Sequence, residues 1–227
     1  VLDLLTPGAD VIVPLANGEP TTVLDAIEAG ADRLEGVRIH QMHALHDRPY
    51  MHGAYGDRLR HVSYFLSHIT RPAYWEGTID LVPNHFSEVP MILRRSTKCT
   101  VVVAACSPPD QHGYFSLGTN ADYVVDLIGR VPIVLEATPH MPRTRGANLV
   151  HHSQVEGWCE SDRPLIEVPR SEPNDVDRAI ASLVAERIPD RASVQIGIGS
   201  MASAVLDSLG GHRDLGIHTE LLHDGMV

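Results

Sequence analysis

Five short apolar runs, at 11–13, 37–40, 61–65, 101–105 and 133–136, alternate with stretches of helical period at 22–29, 87–94 and 121–128. Runs this short and apolar read as strands buried on both faces, and a helix between successive strands brings each new strand in parallel to the last. The alternation therefore predicts an α/β protein with an open, largely parallel sheet between helical layers. With 227 residues, 43% of them hydrophobic, the chain can fill one large core and part of a second.

Between Trp158 and Asn174 the composition turns to Cys-Glu-Ser-Asp-Arg-Pro and then Val-Pro-Arg-Ser-Glu-Pro-Asn, which is rich in breakers and poor in periodic apolar positions. This predicts a domain over residues 1–170 and the opening of a second, incomplete one over 171–227. Asn174 is a natural N-cap with Asp175 and Asp177 in the first turn, and Val176, Ile180, Leu183, Val184 and Ile188 fall on one helical face. Pro189-Asp190 ends that helix, and a strand over 194–198 runs into a glycine turn.

The formal charge of −11, with Lys98 the only lysine, argues against nucleic acid as a partner, because phosphate contacts need clustered cations. No run of about 18 apolar residues is present to span a bilayer, and Val1 opens an ordinary amphipathic segment without a basic leader. No membrane partner and a cytoplasmic location are expected. Cys99, Cys106 and Cys159 form no CxxC pair and read as reduced, structural thiols. Among fourteen histidines, the pairs His43/His46, His151/His152 and His218/His223 lack the spacing of a zinc motif, so no metal is expected.

The glycine turn reads Val194-Gln195-Ile196-Gly197-Ile198-Gly199-Ser200-Met201-Ala202, and a second strand-like run leads to His218-Thr219-Glu220. Three readings compete. Small residues permit tight strand-to-helix packing. Gly197, Gly199 and Ala202 also satisfy G-x-G-x-x-A, with Glu220 near the place of a ribose-binding acid, which would make a nicotinamide-dependent oxidoreductase. The third is an acyl-CoA site. A P-loop is excluded because no Gly-Lys-Ser/Thr follows.

Four further segments bear on the choice: Asn17-Gly18-Glu19-Pro20, Pro83-Asn84-His85-Phe86-Ser87-Glu88-Val89-Pro90, Ser107-Pro108-Pro109-Asp110-Gln111-His112-Gly113-Tyr114-Phe115 and Met141-Pro142-Arg143-Thr144-Arg145-Gly146. In this order, with the glycine turn and His-Thr-Glu, they resemble the acetyl-CoA hydrolase/transferase family, which includes 4-hydroxybutyrate CoA-transferase and butyryl-CoA:acetate CoA-transferase. The resemblance covers nearly the whole chain and implies a NagB/RpiA-like fold. The chain departs from it at Glu136-Ala137-Thr138, where relatives commonly have Val-Asn, and at Val150-His151-His152-Ser153, where they have Ile-His-Val-Ser.

The resemblance implies that Glu220 is a nucleophile that passes through a glutamyl-CoA thioester with ping-pong kinetics. It assigns Gln195, Gly197 and Gly199 to oxyanion and CoA contacts, and His85, His112 and Asn17 to the acyl pocket. The substrates implied are an acyl-CoA thioester and a small carboxylic acid, with no permanently bound cofactor, in a homo-oligomer of energy metabolism. Transferase and hydrolase remain open, as does a non-catalytic module of the same fold. The chain lacks an initiator methionine, ends shortly after Glu220 and lacks the downstream glycine-rich CoA motif of the family, so it is expected to be the N-terminal portion of a longer enzyme and inactive alone.

Two further carboxylates and two arginines invite chemistry. Glu88 and Glu136 could each be mistaken for a second catalytic carboxylate, and Glu88 sits where a helix begins, so offsetting the helix dipole is its ordinary role. Arg143 and Arg145 are each able to bind a carboxylate or a CoA phosphate, or to remain a solvated loop pair.

Overall fold

The computed structural model describes residues 1–167, 172–222 and 224–226. The chain forms two compact units, Val1–Ile166 and Glu167–Val227. The expected boundary stretch is only partly described, since residues 168–171 fall outside it, as does His223.

The first unit is built on seven parallel strands: β1 (Asp10–Ile12), β2 (Val37–Gln41), β3 (Leu59–Ser63), β4 (Asp80–Leu81), β5 (Val101–Cys106), β7 (Ile133–Ala137) and β9 (Gly157–Glu160). Their spatial order is β4-β3-β2-β1-β5-β7-β9, and every pairing is parallel. The chain starts at the centre, lays strands outward to one edge, then returns to β5 on the other side of β1. The order thus reverses between β1 and β5, and parallel α/β sheets bind ligands beyond the carboxyl ends of their strands at such a reversal. Strands β6 (Tyr114–Ser116) and β8 (Leu149–His151) form a separate antiparallel pair.

Alternate residues of each strand enter opposite cores. Val11, Val37, Ile39, Val101 and Val103 face one side with Leu24 and Ile27 of helix α1 (Thr21–Ala29). Ile12, Val62, Val102, Ala104 and Cys106 face the other with Val89 and Leu93 of helix α3 (Val89–Ser96). The remaining helix of this unit, α2 (Thr70–Trp75), buries Ala73 in the first core. The layered parallel sheet expected from the apolar runs is the fold observed.

Three local readings change. The periodic stretch at 121–128 forms a 3-10 segment, Tyr123–Leu127, because Asp122 caps Val124 N–H at 2.9 Å and the Tyr123 hydroxyl reaches back 2.5 Å to the Val13 carbonyl. The strand expected at 61–65 begins two residues earlier, and Phe65 lies beyond it, half exposed. Gly157–Glu160, partly inside the breaker-rich stretch, is the sheet's edge strand, hydrogen-bonded to β7.

The second unit holds helices α4 (Asp175–Ala185) and α5 (Ser200–Ser208) and a two-stranded parallel pair, β10 (Ser193–Val194) and β11 (Gly216–Ile217). Asn174 caps α4 in a reciprocal box with Asp177: Asn174 Oδ1 accepts from Asp177 N at 2.9 Å, and Asp177 Oδ2 from Asn174 N at 3.2 Å. The buried face of α4 is not the expected one. Asp177, Ala181 and Ala185 face inward at i, i+4 spacing, while Val176 and Leu183 are 66% and 54% exposed. Two alanines on one side of α4 leave its backbone free to lie close to α5, and the bulkier apolar side turns outward.

Candidate active site

In the second unit, Glu220 follows β11 at the carboxyl end of the strand pair. The ladder continues past both strands: His218 N–H donates to the Val194 carbonyl at 3.0 Å. Thr219 then ties the two exits together, its hydroxyl donating to the Ile196 carbonyl at 3.0 Å and accepting from Ile196 N–H at 3.3 Å. A hydroxyl at this position fixes where Glu220 emerges relative to the glycine turn. The Glu220 carboxylate is exposed and makes no hydrogen bond among the described residues.

The glycine turn runs from Gln195 to Gly199, and α5 begins immediately after it. Gln195, Gly197, Ile198 and Gly199 are exposed, and only Ile196 is buried between them. A Cβ built on Gly197 or Gly199 meets nothing within 4 Å among the described residues. Tight packing therefore does not explain either glycine. Gly199 has a second requirement: its φ of +114° is a conformation that L side chains rarely adopt. The N–H groups of Gly197 and Gly199 make no backbone hydrogen bond among the described residues, so both remain available as donors.

In the first unit, the candidates lie on loops at the carboxyl edge of the sheet. Asn17 is engaged on both sides of its amide, donating to the Ile166 carbonyl at 2.9 Å and accepting from Ile166 N–H at 2.9 Å. Its amide pins the end of the unit to the loop after β1. His85 is exposed at the start of the 3-10 turn Phe86–Glu88. His112 is exposed on the loop after β5, beside Gln111 at 3.2 Å.

That loop is rigid. Asp110 accepts from the N–H groups of His112 and Tyr114 at 2.9 and 3.0 Å, and these bonds, the Tyr114 one foremost, hold its carboxyl below the usual range. Arg143 completes the clamp, donating to Ser107 Oγ, the Pro108 and Tyr114 carbonyls and Asp110 Oδ2 at 2.9–3.1 Å. Arg143 is thereby occupied by its own loop, whereas the Arg145 guanidinium has no partner among the described residues.

Glu136 is likewise occupied. From β7 its carboxylate accepts Thr22 N–H at 2.7 Å and Val23 N–H at 3.2 Å, which caps the N-terminus of α1. Glu88, by contrast, stands at the N-cap of α3 without a side-chain cap bond. Cys106 is fully buried at the end of β5, and burial pushes its thiol far above the usual range, which suits packing and not nucleophilic attack. All three cysteines are free.

Sequence reasoning missed the polar residues that fasten the loop after β1. Asp122 accepts from Leu15 N–H at 2.9 Å, and burial raises its pKa despite that bond. Asn120 donates to the Leu15 carbonyl at 2.5 Å, and Gln41, at the end of β2, donates to the Glu19 carboxylate and the Pro14 carbonyl of that loop. The signal available was the position of these residues just past apolar runs, where a buried polar group needs a partner. Two clefts of about 440 and 510 Å³ flank the edge strand β9, and none of His85, His112 or Asn17 lines them. Among the described residues no cluster of His, Cys, Asp and Glu is arranged to hold a metal, and no helix is long and apolar enough to cross a membrane.

The N-terminal domain profile of the acetyl-CoA hydrolase/transferase family matches residues 1–169. The chain belongs to this family. Among its relatives, the succinyl-CoA:cyclohexane-1-carboxylate CoA transferase of Geobacter metallireducens is 36% identical over 94% of this chain and 49% of its own length. The 4-hydroxybutyrate coenzyme A transferase of Clostridium kluyveri is 32% identical over 96% and 51%. RipA from Yersinia pestis superposes with a TM-score of 0.91 at 27% identity, covering 98% of this chain and 55% of RipA. The 4-hydroxybutyrate CoA-transferase of Porphyromonas gingivalis gives 0.83 at 30% identity, over 99% and 53%. This member of the acetyl-CoA hydrolase/transferase family thus spans about half the length of the curated relatives it matches. The geometry of the glycine turn does not by itself choose among its readings, since a strand, a G-x-G turn and an acid beyond the next strand suit a dinucleotide site equally well.

Proposed function

We propose that the protein containing this chain is an acyl-CoA:carboxylate CoA-transferase with Glu220 as its nucleophile. The observation that carries the reading is the pairing of an unpartnered, exposed carboxylate with an open glycine turn on the adjacent strand exit, in a chain of this family. The Glu220 carboxylate attacks the acyl-CoA carbonyl; the C–S bond breaks and leaves a mixed anhydride and CoA thiolate. The thiolate attacks the glutamyl carbonyl, releasing the first acid and forming the glutamyl-CoA thioester. The acceptor carboxylate then runs the sequence in reverse, which makes the kinetics ping-pong.

Each attack builds negative charge on a carbonyl oxygen, and fixed donors stabilise it without reorganisation. The free N–H groups of Gly197 and Gly199 and the Gln195 amide take that role. His85 and His112, with exposed rings on anchored loops, contact the acyl side, and Asn17 holds the loop after β1 in place. A member that admits water to the glutamyl thioester acts as a hydrolase through the same residue. Residues 1–227 alone do not complete a turnover in this reading, because CoA is held in part by the downstream half.

The test uses the full-length protein. After incubation with acyl-CoA, borohydride reduction and peptide mass analysis are expected to mark Glu220, and a mark on another carboxylate overturns the assignment. Residues 1–227 assayed alone are expected to be inactive.

A further inference from the structure

The outer edge of β9 carries a pattern that neither the core nor the glutamate chemistry uses. β9 pairs with β7 on one side, and no strand pairs with its other side among the described residues. Glu156 extends the strand backward, its N–H donating to the Ile133 carbonyl at 2.8 Å. Successive side chains of a strand alternate, so Glu156, Trp158 and Glu160 share one side, and all three are exposed. Trp158 leans on Phe115, with ring centroids 5.4 Å apart, and still leaves 44% of its surface open. The carboxylates of Glu156 and Glu160 have no partner among the described residues.

The two clefts that flank β9 both reach Trp158. One, of about 440 Å³, is lined by Pro108, Ala137 and Pro139, and the other, of about 510 Å³, by Leu4, Val23 and Val134. The charged side chains lining them are Asp3, Glu156, Glu160 and Asp162, all acidic. Charges alone would blunt an edge against stray pairing, but a half-exposed tryptophan between them does the opposite. Acid, aromatic, acid at two-residue spacing is the complement of a strand that presents base, large apolar group, base. A second copy of this chain does not supply that strand: pairing β9 with itself about a two-fold axis sets Glu156 against Glu160 twice, and like charges directly opposite repel.

We propose that β9 is the docking edge for an extended basic segment of another protein, which adds to the sheet as a further strand. Its backbone takes up the unpaired edge, its large apolar side chain lies on Trp158, and the basic side chains two residues to either side meet Glu156 and Glu160. In strand addition of this kind the main chain supplies affinity and the alternate side chains supply specificity.

Binding of three fluorescein-labelled peptides to the full-length protein is read by fluorescence polarisation: Lys-Val-Phe-Val-Lys, its rearrangement Val-Lys-Phe-Lys-Val, and Glu-Val-Phe-Val-Glu. The first is expected to bind at least about tenfold more tightly than either of the others, the size to which two charge pairs and one aromatic pair across strands add up. The rearranged peptide keeps composition and charge and loses only the placement of the bases around the ring. The double variant Glu156→Lys/Glu160→Lys changes exposed positions only, so it is expected to keep its melting temperature and to reverse the preference toward the glutamate peptide. Equal affinity for the first two peptides, no binding of any, or a preference unchanged in the double variant overturns the proposal. So does a wild type that sediments as an oligomer and is dissociated by Trp158→Ala at unchanged melting temperature, which would assign the edge to a second copy.

Discussion

The two units of this chain distribute stability and chemistry in opposite ways. In Val1–Ile166 the central strands are apolar on both faces, two cores are filled, and the loops at the carboxyl edge are fastened by buried polar groups such as Asp122, Glu19 and Arg143. Among the described residues of Glu167–Val227 the sheet has two strands of two residues each, and the buried apolar cluster is Ala185, Ile196, Leu206 and Leu209. A parallel pair of that size cannot cover both of its faces, and Val176, Leu183, Ile198 and Leu222 are exposed. Yet this smaller unit carries the candidate nucleophile and the glycine turn. An open turn with unengaged donors suits a substrate and contributes nothing to packing.

The sharpest test of that division is at Gly197. Because a Cβ there meets nothing within 4 Å and its φ is not in the positive range, Gly197→Val is expected to leave the melting temperature nearly unchanged. Transfer by the full-length protein is expected to fall about 10²–10³-fold, the usual size of a lost oxyanion contact. Gly199 is the poorer position, since a side chain strains its backbone regardless of substrate. A variant that unfolds, or one that keeps full turnover, removes the contrast between the units.

Leucine truncations test the same contrast through stability. Leu93 on α3 is fully buried and Leu183 on α4 is half exposed. In denaturant titrations, Leu93→Ala is expected to cost about 3 kcal/mol, transfer and cavity terms together, and Leu183→Ala within about 0.5 kcal/mol. Equal costs would mean that the face of α4 is covered in the protein as it folds.

Much of the first unit was legible because its strands are continuous apolar runs, which identify themselves without their neighbours. What escaped depends on residues distant in sequence. Glu136 reads as a spare carboxylate until β7 is placed against the first turn of α1, and Arg143 reads as a ligand group until the loop after β5 folds around it. The edge strand Gly157–Glu160 was hidden because an edge needs apolar residues on one face only, and its exposures alternate accordingly. On α4, five apolar residues of helical period suggested the buried face, but the side carrying Ala181 and Ala185 is the one that packs. In the second unit the turn and Glu220 were visible as a motif, while the role of Thr219 needed the register of β10 and β11.

The first unit should also respond to pH through its core. His61 on β3 is fully buried against Tyr50 with neither ring nitrogen bonded, and burial, with a smaller contribution from His40, lowers its pKa from 6.5 to about 3. A depressed histidine favours folding above its unfolded pKa, and that stability is lost progressively as pH falls from about 6.5 toward 3, where the unfolded chain binds a proton that the native state refuses. Between pH 7 and pH 5 the loss is expected to be about 2 kcal/mol, read from urea midpoints. His61→Phe, which keeps a ring against Tyr50, is expected to flatten that slope. An unchanged slope would place the proton uptake elsewhere.

The smallest expected effect lies at Thr219, where the second unit comes closest to the order of the first. Its hydroxyl makes the last bonds between the two strand exits, beyond the one from His218 to Val194, so removing it should loosen Glu220 relative to the turn without exposing a core. Thr219→Val keeps the shape and loses both bonds, a change of about 1 kcal/mol, and transfer by the full-length protein is expected to drop roughly tenfold at nearly constant melting temperature. Thr219→Ser restores the hydroxyl and is expected to return most of the rate. The reading holds only if the two variants separate in kcat. Should they fall together, the methyl group and not the hydroxyl sets the position of Glu220, and the ladder from His218 to Val194 would have to hold the exit by itself.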